Sequence, residues 1–369
     1  MYIKSLKLKN FRNYGNLEID FSRNFNIIYG DNGQGKTNII EAIFLCASGR
    51  SHRTSRDVDL IRLQEPGSYI RLGLNKDRIE TLIEVLLKRE EKKKIKINEI
   101  PAKKVGDLMG HLNAVIFSPE DLMIIKEGPS ERRRFLDMTM SQLKPSYFYD
   151  LQQYSKILTQ RNSLLKEAQH KRSLLDTMDI WNRNLAAVGA KIMKVRYEFI
   201  QRLSHYAADN QSKLTEGKEN LVIRYTPSVK VDNFQDNAFI EKSFLKTLES
   251  SIEKELWKST TLSGPQRDDF ELFLNGTNLK LYGSQGQQRT AVLSLKISEI
   301  NIMKEETGEY PVLLLDDVMS ELDSHRQGYL FSNLENIQTF ITCTDKSFFE
   351  DKVPEDSKFF RISGGEVVL

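Results

Sequence analysis

The run Gly30-Asp31-Asn32-Gly33-Gln34-Gly35-Lys36-Thr37 has the spacing G-x-x-x-x-G-K-[ST], that of a loop that wraps phosphates. Glycines at these positions let successive backbone N–H groups turn toward one anion. A helix opening at Lys36 would add the partial positive charge of its first turn. Lys36 is then placed to reach β- and γ-phosphates, and Thr37 to ligate magnesium. A glycine-rich turn without a ligand is the bland alternative, and its surroundings argue against it. Phe25-Asn26-Ile27-Ile28-Tyr29 just before it reads as a strand buried on both faces. After it, Ile39, Ile40, Ile43, Phe44 and Ala47 recur at helical spacing from Lys36 onward.

Such a loop needs an acidic partner on a neighbouring strand. Val312-Leu313-Leu314-Leu315-Asp316-Asp317 supplies an apolar strand ending in two carboxylates. Asp316 would hold the magnesium, directly or through water, and Asp317 would orient or deprotonate an attacking water. Two surface acids after a buried strand are the plain alternative. Lys36 and Asp316 lie 280 residues apart, far more than a compact nucleotide-binding core needs, so the domain is split in sequence.

A second candidate anion site is Ser284-Gln285-Gly286-Gln287, which precedes a helix expected from Thr290 to about Met303. Hydroxyl, amide and glycine at a helix N-terminus suit an anion. One nucleotide does not need two such sites from one chain, whereas two chains facing each other would use both.

The elements between these motifs follow from periodicity. Ile83, Val85 and Leu87 alternate against Ile95, Ile97 and Ile100, which predicts a β-hairpin over 82–100 with a charged turn. Gly128-Pro129-Ser130 breaks the chain, with Ser130 as N-cap of a helix from Glu131. Leu151, Leu158 and Leu165 are spaced by seven, with Tyr147 and Tyr154 beside them. Met178, Leu185, Ile192, Phe199 and Tyr206 repeat that spacing, with Trp181, Val188 and Val195 between. Joined by the polar stretch 166–172, they predict an antiparallel helical hairpin or an ordinary bundle. The expected class is therefore α/β: a nucleotide-binding domain divided into 1–118 and 261–369, with a mostly helical arm at 119–260.

These motifs, in this order, resemble the ABC-type ATPase head of the SMC-like family. Ser284-Gln285-Gly286-Gln287 is similar to its Ser-Gly-Gly-Gln signature, with Gln285 in place of one glycine. Ser320-Glu321-Leu322-Asp323 resembles the loop that crosses the dimer interface. Further runs resemble its recombinational-repair branch: Leu6-Lys7-Leu8-Lys9-Asn10-Phe11-Arg12-Asn13-Tyr14, Gly49-Arg50-Ser51-His52-Arg53, Phe117-Ser118-Pro119-Glu120-Asp121-Leu122, the segment 128–137, and Ser263-Gly264-Pro265-Gln266-Arg267-Asp268-Asp269. Asp317 stands where most ABC ATPases carry glutamate, which implies slow turnover. Cys343-Thr344-Asp345 stands where a switch histidine is expected, leaving Thr344 or Asp345 as sensors of the γ-phosphate. Gln266 stands where relatives often carry histidine and is assigned no chemistry.

The resemblance implies an ATP- and Mg2+-dependent DNA-binding protein with weak, DNA-stimulated ATPase activity. It implies a homodimer joined by ATP that grips gapped or junction DNA, and single strands, during repair, replication and the SOS response. It also implies that the protein acts with RecR and RecO to help load RecA. An ATPase subunit of a transporter shares the loop and signature, and an architectural dimeriser with negligible hydrolysis is a third reading.

Charge limits how DNA would be held. The 369 residues carry 54 Lys+Arg against 51 Asp+Glu, a net +3, so phosphate contact must come from local patches rather than bulk charge. Between Lys88 and Lys104 there are eight basic and three acidic residues, with Lys92, Lys93 and Lys94 at the turn. Arg50, His52, Arg53 and Arg56 follow the first helix, and Arg132 to Arg134 open the arm. A solvated surface, or for the last cluster internal ion pairs, is the plain alternative. No aromatic ladder suggests stacking on bases. Hydrophobic residues at 39% and charged residues at 28% fit a globular protein with real cores. The chain has no apolar run long enough to cross a membrane, no signal-peptide pattern, and only Cys46 and Cys343, both expected as buried thiols. A cytoplasmic location is expected.

Overall fold

The computed structural model describes residues 1–76 and 79–368. They divide into two compact units, 1–121 with 296–369, and 122–295. The sequence places the second boundary near 260. By compactness it falls at 295/296, because strand Asp269–Leu274 pairs along its whole length with Leu221–Thr226 and keeps the intervening chain in the second unit.

Two sheets build the first unit. One has the order Glu366–Val368, Lys358–Ser363, Phe25–Tyr29, Thr339–Cys343, Val312–Asp316, Ala114–Phe117. The pairings from Lys358–Ser363 through to Ala114–Phe117 are parallel, and the edge strand Glu366–Val368 is antiparallel. Parallel strands are covered on both faces and read as continuous apolar runs; accordingly Ile27, Ile28, Leu313, Leu314, Leu315, Phe340 and Ile341 are fully buried. Register aligns Asp316 with Thr342 and Cys343 with Tyr29, so the chemistry-bearing residues emerge at one end of the sheet. That carboxyl end is where open α/β sheets bind ligands.

The other sheet is antiparallel, in the order Tyr14–Asp20, Tyr2–Phe11, Gly67–Lys76, Ile79–Lys88, Lys94–Ile97, Ile100–Pro101. The hairpin expected over 82–100 is present, with Ile83 opposite Ile97 and Val85 opposite Ile95. A register irregularity between Ile3 and Ser5 lets both Ile3 and Leu6 face inward despite their odd spacing.

The second unit holds the helices Pro129–Leu143, Pro145–Ala168, Met178–Leu214 and Asn237–Lys258, with a three-stranded antiparallel sheet. The first of these begins two residues before the expected Glu131. Pro129 occupies its opening turn and Ser130 is not the cap, because proline's fixed φ suits that position and its missing N–H would have had no partner there. The next two helices run antiparallel: Arg196 donates to Tyr147, Arg161 to Asn182, and Leu165 clusters with Met178. Each step along one helix is matched by an equal step back along the other. Of the expected leucine line Leu165 is buried while Leu151 and Leu158 are half-buried; the adjoining line of Tyr147 and Tyr154, also expected, is buried and continues at the same spacing through Arg161 and Ala168.

Arg161 survives there because every arm of its guanidinium is used. It donates to Asn182 Oδ1 at 2.9 Å, Thr261 Oγ1 at 2.7 Å and Glu255 Oε2 at 2.7 Å. Arg132 is also internal, forked on Asp269 at 2.6 and 2.7 Å. Arg133 donates to the Asp268 carbonyl, and Arg134 pairs with Glu131. The basic cluster that opens the arm is therefore largely spent on structure. Gln266 is structural as well, meeting the Tyr154 hydroxyl and donating to the Ser263 carbonyl.

Candidate functional site

The loop Gly30 to Gly35 joins strand Phe25–Tyr29 to helix Lys36–Ser48. Gly30, Gly33 and Gly35 have φ of 142°, 77° and 115°, conformations that disfavour any side chain. Space adds to the requirement: a Cβ on Gly30 would lie 2.3 Å from the Ile362 carbonyl, and one on Gly35 2.5 Å from Asn13 Nδ2. Lys36 is buried, and its ammonium donates to the Gly30 and Asp31 carbonyls at 2.8 and 3.0 Å. The loop is thus curled around its own lysine. Asp31, Asn32 and Gly33 form its exposed rim.

Asp316, at the end of strand Val312–Asp316, accepts from Thr37 Oγ1 at 2.9 Å and from Thr342 Oγ1 at 2.7 Å, both on Oδ1. Burial pushes its pKa up, the two threonine hydrogen bonds pull the other way, and the result lies above the ordinary aspartate value. Asp317 follows with a left-handed φ of 53°, and its N–H donates to Thr342 Oγ1 at 2.9 Å. Thr342 therefore fixes both acids from the neighbouring strand. Hydroxyl and carboxylate oxygens suit a hard cation that keeps most of its shell from water and phosphate. Among the described residues no cluster of three His, Cys, Asp or Glu could hold a metal unaided. Thr37 and Asp316 thus fit magnesium bound together with a nucleotide.

The second candidate anion site is built differently. Ser284 and Gln287 cap each other: the Ser284 N–H donates to Gln287 Oε1 at 2.9 Å and the Gln287 N–H to Ser284 Oγ at 3.2 Å. The Gln287 amide also donates to Glu219 Oε1 at 2.9 Å. Ser284, Gln285 and Gly286 are exposed at the start of helix Gln285–Thr307. Of the two proposed sensors, Thr344 is exposed, and Asp345 accepts from the Ser347 N–H at 3.0 Å and from its hydroxyl at 2.7 Å. Cys46 is buried, Cys343 only partly, and neither is in a disulfide. Burial raises both thiols to about 12.

Residues 2–363 match the family model RecF/RecN/SMC N terminal domain. The DNA replication and repair protein RecF of Acetivibrio thermocellus is 56% identical over 365 residues, covering 99% of each chain. That of Ruminiclostridium cellulolyticum is 53% identical over 373 residues, covering 100% of this chain and 99% of the relative. The chain belongs to the RecF family. A solved structure of the recombination mediator protein RecF with ATP, in the RecFOR pathway, superposes with a TM-score of 0.93 at 41% identity, covering 100% of this chain and 97% of the other. An Smc head from Pyrococcus furiosus, bound to the C-terminal domain of ScpA, matches at a TM-score of 0.55 and 17% identity, which speaks for the fold alone. The SMC-like, ABC-type head with a split α/β core is thereby established.

In this RecF-family chain the basic candidates for DNA separate by surroundings. Lys93 donates to the Gly49 carbonyl at 2.7 Å and pairs with Asp57 at 3.0 Å. That contact draws the hairpin turn and the segment after the first helix into one region. Lys94 pairs with Glu91 at 2.7 Å and Arg56 with Asp59 at 3.8 Å. Arg53 turns toward the nucleotide loop instead, donating to Asn38 Oδ1 at 3.1 Å and pairing with Glu41 at 3.6 Å. His52 is buried, edge-on to Phe44. Arg50 and Lys92 are exposed, and among the described residues neither side chain has an acidic partner.

Glu41 and Thr342 carry no motif and escape a reading by spacing, and Asn13, though inside a run that carries the resemblance, receives no role from it. Glu41, on the helix that opens at Lys36, is fully buried and forked by Arg12 at 2.8 and 2.7 Å, with the Ser51 hydroxyl at 2.5 Å. Thr342 and Asn13 likewise act through partners remote in sequence. In the sequence the available signal is a lone glutamate among Ile39, Ile40, Ala42, Ile43 and Phe44.

Proposed function

We propose that this chain is an ATP-switched DNA clamp of recombinational repair. The observation that carries the reading is the approach of Thr37 to Asp316 beside a curled loop with a buried lysine, a ready cradle for a magnesium nucleotide. Magnesium held by Thr37 and Asp316 would neutralise phosphate charge. Lys36 would exchange the Gly30 and Asp31 carbonyls for phosphate oxygens. Asp317, its backbone fixed by Thr342, would orient the attacking water, and its short side chain suits slow turnover. In two facing chains, Ser284 to Gln287 of each would close on the other's nucleotide, and hydrolysis would release the dimer.

Paired heads bring together two modest basic regions, each around Arg50 and Lys92, which suits a grip on duplex backbone that strengthens on dimerisation. Gapped duplex and junctions are the proposed targets, with RecR, RecO and RecA as pathway partners; the relatives' names for repair and for the RecFOR pathway support this. Membership of the family weighs against a transporter subunit, and among the described residues no helix is long and apolar enough to cross a membrane. The test is binding to gapped and blunt duplex with and without ATP across a salt series. Tighter, ATP-dependent binding to gapped duplex is expected; equal binding in all four conditions overturns the clamp.

A further inference from the structure

The phosphate-binding loop is held from outside by both ends of the chain. Asn13, in the turn between strands Tyr2–Phe11 and Tyr14–Asp20, donates from Nδ2 to the Gln34 carbonyl at 2.8 Å. Its Oδ1 accepts from Asn38 Nδ2 at 2.8 Å. One amide thus spans the loop's last turn and the first turn of the helix that follows it. Tyr14 adds a hydrogen bond from its hydroxyl to the Gly35 carbonyl at 3.0 Å. From the other terminus, the Gly364 N–H donates to Gln34 Oε1 at 2.6 Å. Gly364 and Gly365 have φ of 60° and 80°, the pair of left-handed residues of a tight two-residue hairpin turn. A Cβ on Gly365 would lie 2.9 Å from the Asn13 carbonyl, so the two turns touch.

The turn that carries Asn13 is itself strained. Asn10 and Arg12 have φ of 52° and 53°. Left-handed arginine costs free energy and persists only where its surroundings impose it. Here the Arg12 N–H is held by the Leu60 carbonyl at 2.8 Å and its side chain by Glu41. The strain sets Asn13 at the loop, and Asn13 faces backbone and amide groups rather than the phosphate cradle.

We propose that Asn13, braced by the Gly364–Gly365 turn, is a positioning residue that keeps the nucleotide loop in its binding curl. The inference rests on the proposed nucleotide site. A loop held ready loses less freedom on binding, so the contribution appears as affinity. Removing the hold raises KM and Kd for the nucleotide while the chemical step, set by Asp316 and Asp317, proceeds as before.

The test compares the full chain with Asn13→Ala and Asn13→Asp, reading equilibrium binding of a fluorescent ATP analogue, kcat and KM, and melting temperature without nucleotide. Two lost hydrogen bonds correspond to a Kd about tenfold higher. For Asn13→Ala the expected result is that rise, a parallel rise in KM, and kcat within about twofold. Asn13→Asp keeps the acceptor for Asn38 but loses the donor to Gln34, and should not restore affinity. An unchanged Kd in Asn13→Ala, or a fall in kcat at constant KM, overturns the proposal. Failure of the parent chain to bind the analogue would instead overturn the nucleotide site itself. Should Asn13→Ala melt well below the parent, Gly365→Ala presses on the same segment and leaves Asn13 in place; it must raise Kd, and an unchanged value overturns the proposal.

Discussion

Thr37 Oγ1 donates to Asp316 Oδ1 at 2.9 Å although 279 residues separate them. The contact needs two independent alignments. The loop must deliver Thr37 at the first turn of its helix, and strand Val312–Asp316 must enter the sheet two places from Phe25–Tyr29, with Thr339–Cys343 between them. Thr342, on that intervening strand, bonds the same carboxylate oxygen and also accepts the Asp317 N–H. The acid proposed to ligate magnesium and the acid proposed to orient water are thus referred to a single hydroxyl.

Lys36 and Asp317 should separate binding from turnover. Lys36→Ala removes the ammonium inside the loop's curl and should abolish ATP binding in a filtration or fluorescence assay. Asp317→Asn keeps the backbone, because asparagine tolerates a left-handed φ, but removes the carboxylate. It should bind ATP normally and slow hydrolysis by about 10²-fold or more, the scale of a lost general base. Light scattering with ATP should then find the Asp317→Asn protein dimeric. A monomer would defeat the facing-heads arrangement.

How far the sequence discloses the site depends on how local each requirement is. Gly30, Gly33 and Gly35 are legible because one backbone path dictates them, and Asp316 because it ends an apolar strand. The role of Asn13, quoted only as part of a family-like run, and that of Thr342 are not legible, since their meaning arises from which strands become neighbours. The arm shows the same divide. Spacing by seven reveals two antiparallel helices, but the buried line of Tyr147 and Tyr154 continues into Arg161, and only its three partners from distant segments explain why. Likewise Lys93 and Arg53 look like free cations in sequence until Asp57 and Glu41 are found beside them.

Glu41 should make the head acid-sensitive. Burial alone would raise its pKa, but the Arg12 and Ser51 hydrogen bonds and the nearby Arg12 and Arg53 charges outweigh it, and the folded value lies below the usual carboxylate range. A depressed folded pKa means stabilisation that is present above the unfolded value and lost as pH falls through the folded one. Melting temperature should therefore fall as pH drops below about 4.5. Glu41→Gln should cost about 1–3 kcal/mol near neutrality and show a shallower decline with acid. Identical pH profiles for the two proteins would refute the assignment.

The exposed cations should matter for DNA more than the paired ones. Arg50→Ala and Lys92→Ala each remove a charge with no acidic partner among the described residues. Each should lower the slope of log affinity against log salt by about 1. Lys93→Ala should leave that slope nearly unchanged and lower stability instead, because it frees the Gly49 carbonyl and Asp57. A filter-binding salt series on all three variants decides the matter. Equal slopes throughout would move the DNA surface elsewhere.

The buried arginine of the arm offers a test independent of nucleotide. Arg161 and Glu255 are both 0% exposed and 2.7 Å apart. Glu255 also accepts the Leu262 N–H at 2.8 Å on its other oxygen. Arg161→Met fills much of the volume but strands a carboxylate in the core, which should cost about 3–5 kcal/mol in urea unfolding. Glu255→Gln added to it removes the stranded charge and keeps an acceptor for Leu262, so the double variant should regain most of the loss. If the single change costs under about 1 kcal/mol, the pair contributes little beyond packing. If the double change is no better than the single, stability resides in the arginine's bonds to Asn182 and Thr261 rather than in the ion pair.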